Sequence, residues 1–87
     1  MAFSLKLSAV LRKQLWKVKI RDRERLEYPH VSIMMKGKTW RYSLRGGTFL
    51  DKKPDPGDVP EGVVAAIEKG MAKLIGAWNK MYPKNPV

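Results

Sequence analysis

Residues 29–45 read Pro-His-Val-Ser-Ile-Met-Met-Lys-Gly-Lys-Thr-Trp-Arg-Tyr-Ser-Leu-Arg, which is the pattern of a β-hairpin. Two runs of alternating apolar and polar residues flank Lys36-Gly37, and Gly37 supplies the positive φ that a two-residue turn requires. Such a turn fixes the register and gathers the apolar residues of both strands on one face. The predicted cross-strand pairs are Met35 with Lys38, Met34 with Thr39, Ile33 with Trp40, Ser32 with Arg41, Val31 with Tyr42, and His30 with Ser43.

The segment before the hairpin predicts a third strand. Over residues 15–21, apolar side chains alternate with Lys17, Lys19 and Arg21, so a cationic face opposes a core face. Residues 4–14 fit either a strand or a helix by their periodicity, and we favour a short helix or turn over residues 8–14.

The segment after the hairpin predicts one long helix over residues 59–81, capped at its start by Asp58 together with Glu61. Gly70 and Gly76 interrupt it and would allow close approach to the sheet. We therefore expect residues 1–87 to form one α+β domain, an antiparallel sheet of three to four strands packed on a long C-terminal helix, with a short N-terminal helix. The apolar stripe of the helix comprises Val63, Val64, Ile67, Met71, Leu74, Trp78 and Met81.

Positive charge is concentrated in the first half of the chain. The formal net charge is +10, and residues 1–50 contain 12 Lys/Arg against 3 Asp/Glu. A cationic strand face suits a polyanion such as nucleic acid, although a merely solvated face gives the same pattern. Trp16, Trp40 and Tyr42 fall with the apolar residues and are predicted to be core rather than base-stacking residues. The candidate nucleic-acid-binding residues are Lys17, Lys19, Arg21, Arg23, Arg25, Lys38 and Arg45.

His30 and Arg41 are the candidate catalytic residues. His30 is the only histidine, and on the cationic face it would act as general acid or base on a phosphodiester while Arg41 stabilises phosphate charge. The alternative is that His30, following a proline at a strand start, only makes a local hydrogen bond. Cysteine is absent and no metal-ligand spacing occurs, so we expect no metal and no cofactor; an enzyme of this kind would be a metal-independent ribonuclease.

Two short motifs resemble a small bacterial domain family of unknown function. They are Tyr-Pro-His-Val-Ser-Ile at residues 28–33, similar to the family's Pro-His-x-His-Val strand, and Leu-Ile-Gly-Ala-Trp-Asn at residues 74–79. The resemblance implies a candidate toxin of a toxin–antitoxin pair, with His30 at the first motif histidine. Ser32 stands at the second, which puts a two-histidine mechanism in doubt. A helix–three-strand–helix order would also look like the double-stranded-RNA-binding fold of HicA-type toxins, although their Gly-Ser-His-His pattern is absent.

These observations predict a small basic cytoplasmic protein of toxin–antitoxin type that binds or acts on RNA through its cationic sheet face. The alternative is a non-catalytic module that binds nucleic acid or another protein. Expected partners are RNA or another nucleic acid and a small acidic antitoxin, and a homodimer is compatible with the modest core. No targeting segment or long apolar run is evident, so no membrane contact is expected.

Overall fold

The computed structural model of the protein describes residues 3–20 and 28–87. The elements in chain order are β1 (Phe3–Leu5), α1 (Ala9–Lys13), β2 (Lys17–Ile20), β3 (His30–Met35), β4 (Lys38–Ser43), a 3-10 turn (Pro56–Asp58), α2 (Glu61–Lys69) and α3 (Met71–Met81). The four strands form an antiparallel sheet in the order β1-β2-β3-β4. The predicted α+β fold class is therefore confirmed.

The β3–β4 hairpin has the predicted register at all six pairs. Lys36 and Gly37 adopt φ values of 47° and 81°, the left-handed conformation that a twist-compatible two-residue turn needs at both positions. The register extends to β2, where Val18 faces Ile33 and Lys19 faces Ser32. Apolar side chains therefore share one face across the sheet.

The N-terminal segment contains both of the structures that its periodicity allowed. Phe3 and Leu5 pair with Ile20 and Val18, which makes β1 the fourth strand of the sheet. The predicted short helix follows as α1, and the Ser8 side chain caps it by accepting a hydrogen bond from the backbone N–H of Leu11.

Helix α1 ends on Leu15, a leucine in the left-handed conformation with φ 71°. The Leu15 N–H donates to the carbonyl of Arg12 at 3.0 Å, and the Trp16 N–H donates to the carbonyl of Leu11 at 3.2 Å. This pair of bonds is the Schellman ending, whose left-handed position is usually glycine because a Cβ there costs on the order of 1–2 kcal/mol. Because Leu15 belongs to the helix ending, the strand begins at Lys17 rather than at residue 15 as predicted.

The predicted long C-terminal helix is present as α3, which ends at Met81 as expected, but its predicted continuity from residue 59 is wrong, since α2 and α3 meet at Gly70. A Cβ built on Gly70 would lie 3.0 Å from Leu5 Cδ1 and 3.3 Å from the carbonyl oxygen of Ala66. Glycine therefore permits the close approach to β1 that we expected at this position. The same expectation fails at Gly76, where a Cβ would meet no atom within 4 Å.

The predicted cap on Asp58 is also wrong. Asp58 lies in the 3-10 turn, which Asp55 caps by accepting from the N–H of Gly57 at 2.9 Å. Helix α2 starts after Pro60, which offers no side-chain hydrogen bond, so the extra turn displaces the helix start beyond the reach of Asp58. Glu61 in the first turn still places a negative charge at the positive end of the helix dipole.

The core lies between the apolar face of the sheet and helices α2 and α3. Trp16 and Trp40 pack together with ring centroids 5.5 Å apart, and Tyr42 is 3% exposed, so these three aromatic residues are core residues as predicted. The remaining buried apolar residues are Leu7, Val18, Ile20, Val31, Ile33, Leu44, Val59, Val63, Ile67, Leu74, Trp78 and Tyr82. No helix within residues 3–20 and 28–87 has the length and apolar character needed to cross a membrane.

Candidate nucleic-acid interface

The polar face of the sheet carries one row of residues that runs across all four strands. Cross-strand pairing places Ser4, Lys19, Ser32 and Arg41 side by side in this row. Accessibility changes sharply along it, because Ser4 is exposed and Lys19 half-buried whereas Ser32 is 1% exposed. We call the β1–β2 part, with Ser4, Lys17 and Lys19, the open region, and the β3–β4 part, with His30, Ser32 and Ser43, the closed region.

The closed region buries His30, which is 1% exposed. Its ring centroid lies 5.6 Å from that of Trp78, and its Nδ1 lies 2.7 Å from the carbonyl oxygen of Tyr28. The local hydrogen bond of the alternative interpretation is thus present. The expectation of an accessible His30 on a cationic surface is wrong, because α3 brings Trp78 against the ring.

Ser43 and Arg45 stabilise the chain around this region. Ser43 Oγ accepts hydrogen bonds from the backbone N–H groups of Arg45 and Gly46, at 3.1 and 2.9 Å. The Arg45 guanidinium donates to the carbonyl of Pro86 at 2.7 Å and lies 5.1 Å from the ring centroid of Tyr28. Arg45 therefore connects the C-terminal segment to the residues before β3, although its side chain stays exposed.

Arg41 forms a bidentate ion pair with Asp51, a residue that sequence analysis did not connect to it. The Nε and Nη2 groups of Arg41 donate to the two carboxylate oxygens at 2.8 and 2.7 Å. The hydrogen bond from Arg41 is the main reason that the pKa of Asp51 lies below its ordinary value; partial burial opposes the shift, and the charge of Arg41 reinforces it. Much of the charge of Arg41 is therefore balanced within the protein.

The open region adjoins a cleft of about 470 Å³ between β1, α1 and β2. Both cationic and apolar side chains line it, and none of the described residues around it is acidic. We name it the basic cleft. Its lining residues are Ser4, Leu5, Lys6, Leu7, Arg12, Leu15, Trp16, Lys17, Val18 and Lys19.

The four cations of the basic cleft are well placed to attract an anion. Lys6, Arg12 and Lys17 are exposed and Lys19 is half-buried. Within residues 3–20 and 28–87, Arg41 and Asp51 form a salt bridge, and none of the four cleft cations takes part in it. Four like charges around one concave space with low-dielectric walls raise the local positive potential and the local concentration of anions.

Two of these four cations, Lys6 and Arg12, were missed by sequence analysis. Lys6 and Arg12 line the same cleft as Lys17 and Lys19 because of two features, the hydrogen-bonded ending of α1 and the reversal of the chain at Leu15. The Ser8 cap was the one local signal, since it marks the start of a helix that carries Arg12.

The remaining candidate residues do not join the basic cleft. Lys38 is exposed, but it pairs with Met35 and so belongs to the opposite face of the sheet, beside the hairpin turn. Arg45 lies beyond the end of β4. Arg21, Arg23 and Arg25 lie outside the described residues.

Metal-ligating side chains do not cluster in groups of three or more within residues 3–20 and 28–87. Comparisons with models of protein families, with curated proteins and with solved structures found no significant match.

Proposed function

We propose that the protein binds RNA through the basic cleft and the adjoining open region of the sheet. The observation that carries this proposal is the convergence of four cations, Lys6, Arg12, Lys17 and Lys19, on one cleft whose described lining includes no carboxylate. Phosphate groups are the natural ligands of such a surface, because lysine and arginine neutralise them and release condensed counterions.

Binding is favoured over catalysis because of the closed region. A general acid or base must come within hydrogen-bond reach of the substrate, whereas His30 is 1% exposed and packs against Trp78. Arg41 is paired with Asp51. A metal-independent ribonuclease, the alternative, would require the closed region to open around His30.

The toxin–antitoxin setting follows from the motif resemblance at residues 28–33 and 74–79. In that setting the chain would be the toxin, and a small acidic antitoxin would compete with RNA for the cations of the basic cleft. An acidic protein and RNA would then bind in a mutually exclusive manner.

The test is a charge-matched comparison of two double variants. Lys17→Ala with Lys19→Ala removes two cations from the basic cleft, whereas Lys52→Ala with Lys53→Ala removes two exposed cations outside it. We expect the parent to bind a 20-nucleotide single-stranded RNA with a slope of log affinity against log salt of about −3 to −4, corresponding to about four to six neutralised phosphates. The cleft variant should lose about tenfold or more in affinity and reduce the slope by about 1.4, while the control stays within about twofold.

Thermal melts of both double variants serve as the folding control, because surface substitutions of this kind change stability by about 0.5 kcal/mol or less. Equal losses of affinity in the two variants would indicate that RNA affinity depends on the total charge of the protein rather than on the cleft. Absence of binding at low salt would refute an RNA-binding function.

A further inference from the structure

We infer that the basic cleft holds one unpaired nucleotide of a single-stranded RNA, with the base against Leu15 and its apolar neighbours and the phosphate among the four cations. The inference rests on the proposed RNA-binding function and specifies its substrate class.

The cleft combines the two chemistries that a nucleotide presents. Its cations match a phosphate, and the exposed apolar side chain of Leu15 on its wall matches the face of a base. Its volume of about 470 Å³ lies in the range of pockets that enclose small ligands. In an A-form duplex the base faces are covered by stacking, so a duplex would reach the cations only through its backbone.

Leu15 supplies an independent observation. It is a large apolar residue with 55% of its surface exposed, so core packing does not explain its presence. It also occupies a left-handed backbone position, φ 71°, where glycine or asparagine would be less strained. Strained residues persist where function requires them, and an exposed leucine at a cationic cleft fits contact with a base.

Val10 gives a matched control for Leu15. It is 66% exposed and belongs to α1, but it does not line the basic cleft. Leu15→Ala therefore truncates an exposed aliphatic side chain inside the cleft, and Val10→Ala truncates one outside it. Leu15→Gly removes the side chain and the backbone strain together, so it should melt at the same temperature as the parent or higher.

The experiment measures the affinity of these variants for a 12-nucleotide single-stranded RNA and for a 12-base-pair RNA duplex in the same low-salt buffer. We expect Leu15→Ala and Leu15→Gly to bind the single strand about five- to tenfold more weakly, at the lower end of the effect of removing an aromatic stacking partner, because leucine is aliphatic. Their duplex affinity should change by less than about twofold, because the phosphate contacts remain. Val10→Ala should match the parent with both probes.

The outcomes separate this inference from the proposed function. Unchanged affinity in the Leu15 variants, or an equal loss for single strand and duplex, would overturn the nucleotide site and leave RNA binding intact. A parent protein that binds neither probe would overturn the proposed function, and the nucleotide site with it.

Discussion

The open and closed regions belong to the same face of the same sheet, yet only one of them offers charge to a ligand. Lys19 and Ser32 are directly paired in one row, yet Lys19 is half-buried and Ser32 is 1% exposed. Strand alternation assigns a residue to a face, but the rest of the chain determines whether that face is accessible. A face predicted from alternation can therefore contain residues of very different accessibility.

Within the closed region, His30 packs against aromatic residues at the end of α3. Trp78 lies 4.5 Å from Tyr82 between ring centroids, and its indole N–H donates to the carbonyl of Asn85 at 2.6 Å. The Val87 N–H donates in turn to the side chain of Asn79 at 2.8 Å. His30 packs against this assembly, so the closed region is integral to the fold.

The substitution Trp78→Ala is the strongest test of the contrast between the open and closed regions. Trp78 is fully buried, and removing the indole leaves a cavity beside His30 and deletes the hydrogen bond to the carbonyl of Asn85. We expect a loss of about 3–5 kcal/mol in the free energy of unfolding, measured by urea denaturation, against about 0.5 kcal/mol or less for Lys17→Ala in the open region. If Trp78→Ala fails to fold, Trp78→Phe keeps most of the volume and should cost about 1–2 kcal/mol through the lost hydrogen bond. Similar costs for the tryptophan and lysine variants would contradict the division into two regions.

His30→Ala distinguishes a structural histidine from a catalytic one. We expect it to lower the free energy of unfolding by about 2 kcal/mol, because it removes a buried ring and leaves the carbonyl of Tyr28 without the hydrogen bond from Nδ1. RNA affinity should stay within about twofold, since the basic cleft is intact. The ribonuclease alternative instead requires that a folded His30→Gln protein lose cleavage or growth inhibition by at least about 100-fold. Full retention of either activity would exclude His30 as the acid–base group.

The smallest expected effect concerns Asp51→Asn at the edge of the closed region. The pKa of Asp51 is lowered in the folded protein, so the ionised carboxylate stabilises the fold. That stabilisation is complete above about pH 5, where Asp51 is ionised in both states, and it is lost as the pH falls through the lower folded pKa. We expect it to be below about 1 kcal/mol, since the Arg41 and Asp51 side chains are 38% and 30% exposed. Urea midpoints of parent and variant should differ at pH 6 and converge towards pH 2, whereas a constant difference would contradict this account.

The hairpin could be predicted pair by pair from sequence because its determinants are local. A glycine in the turn and an alternating pattern on both sides allow one register. The break between α2 and α3 was not predicted, and it coincides with a long-range contact, since a Cβ on Gly70 would lie 3.0 Å from Leu5 Cδ1. Propensity alone allows a glycine within a long helix at a modest cost.

The candidate site was predicted less completely. Alternation identified Lys17 and Lys19, but Lys6 and Arg12 join them only because the chain reverses at Leu15. Sequence rules assign such a left-handed position to glycine, so a leucine gives no signal of the turn. The burial of His30 was missed for a related reason, since Trp78 comes from an element 48 residues further along the chain.

The Trp16–Trp40 pair provides an intrinsic optical signal for occupancy of the basic cleft. The two indole rings lie 5.5 Å apart at an interplanar angle of 38°, and Trp16 also lines the cleft. The intense far-ultraviolet transitions of two indole rings this close couple, and the sign and size of the resulting circular dichroism depend on their mutual orientation. Because Trp16 is only 5% exposed, a ligand in the cleft would act on this signal by changing the surroundings of its ring. Occupancy could therefore be followed in the unlabelled protein.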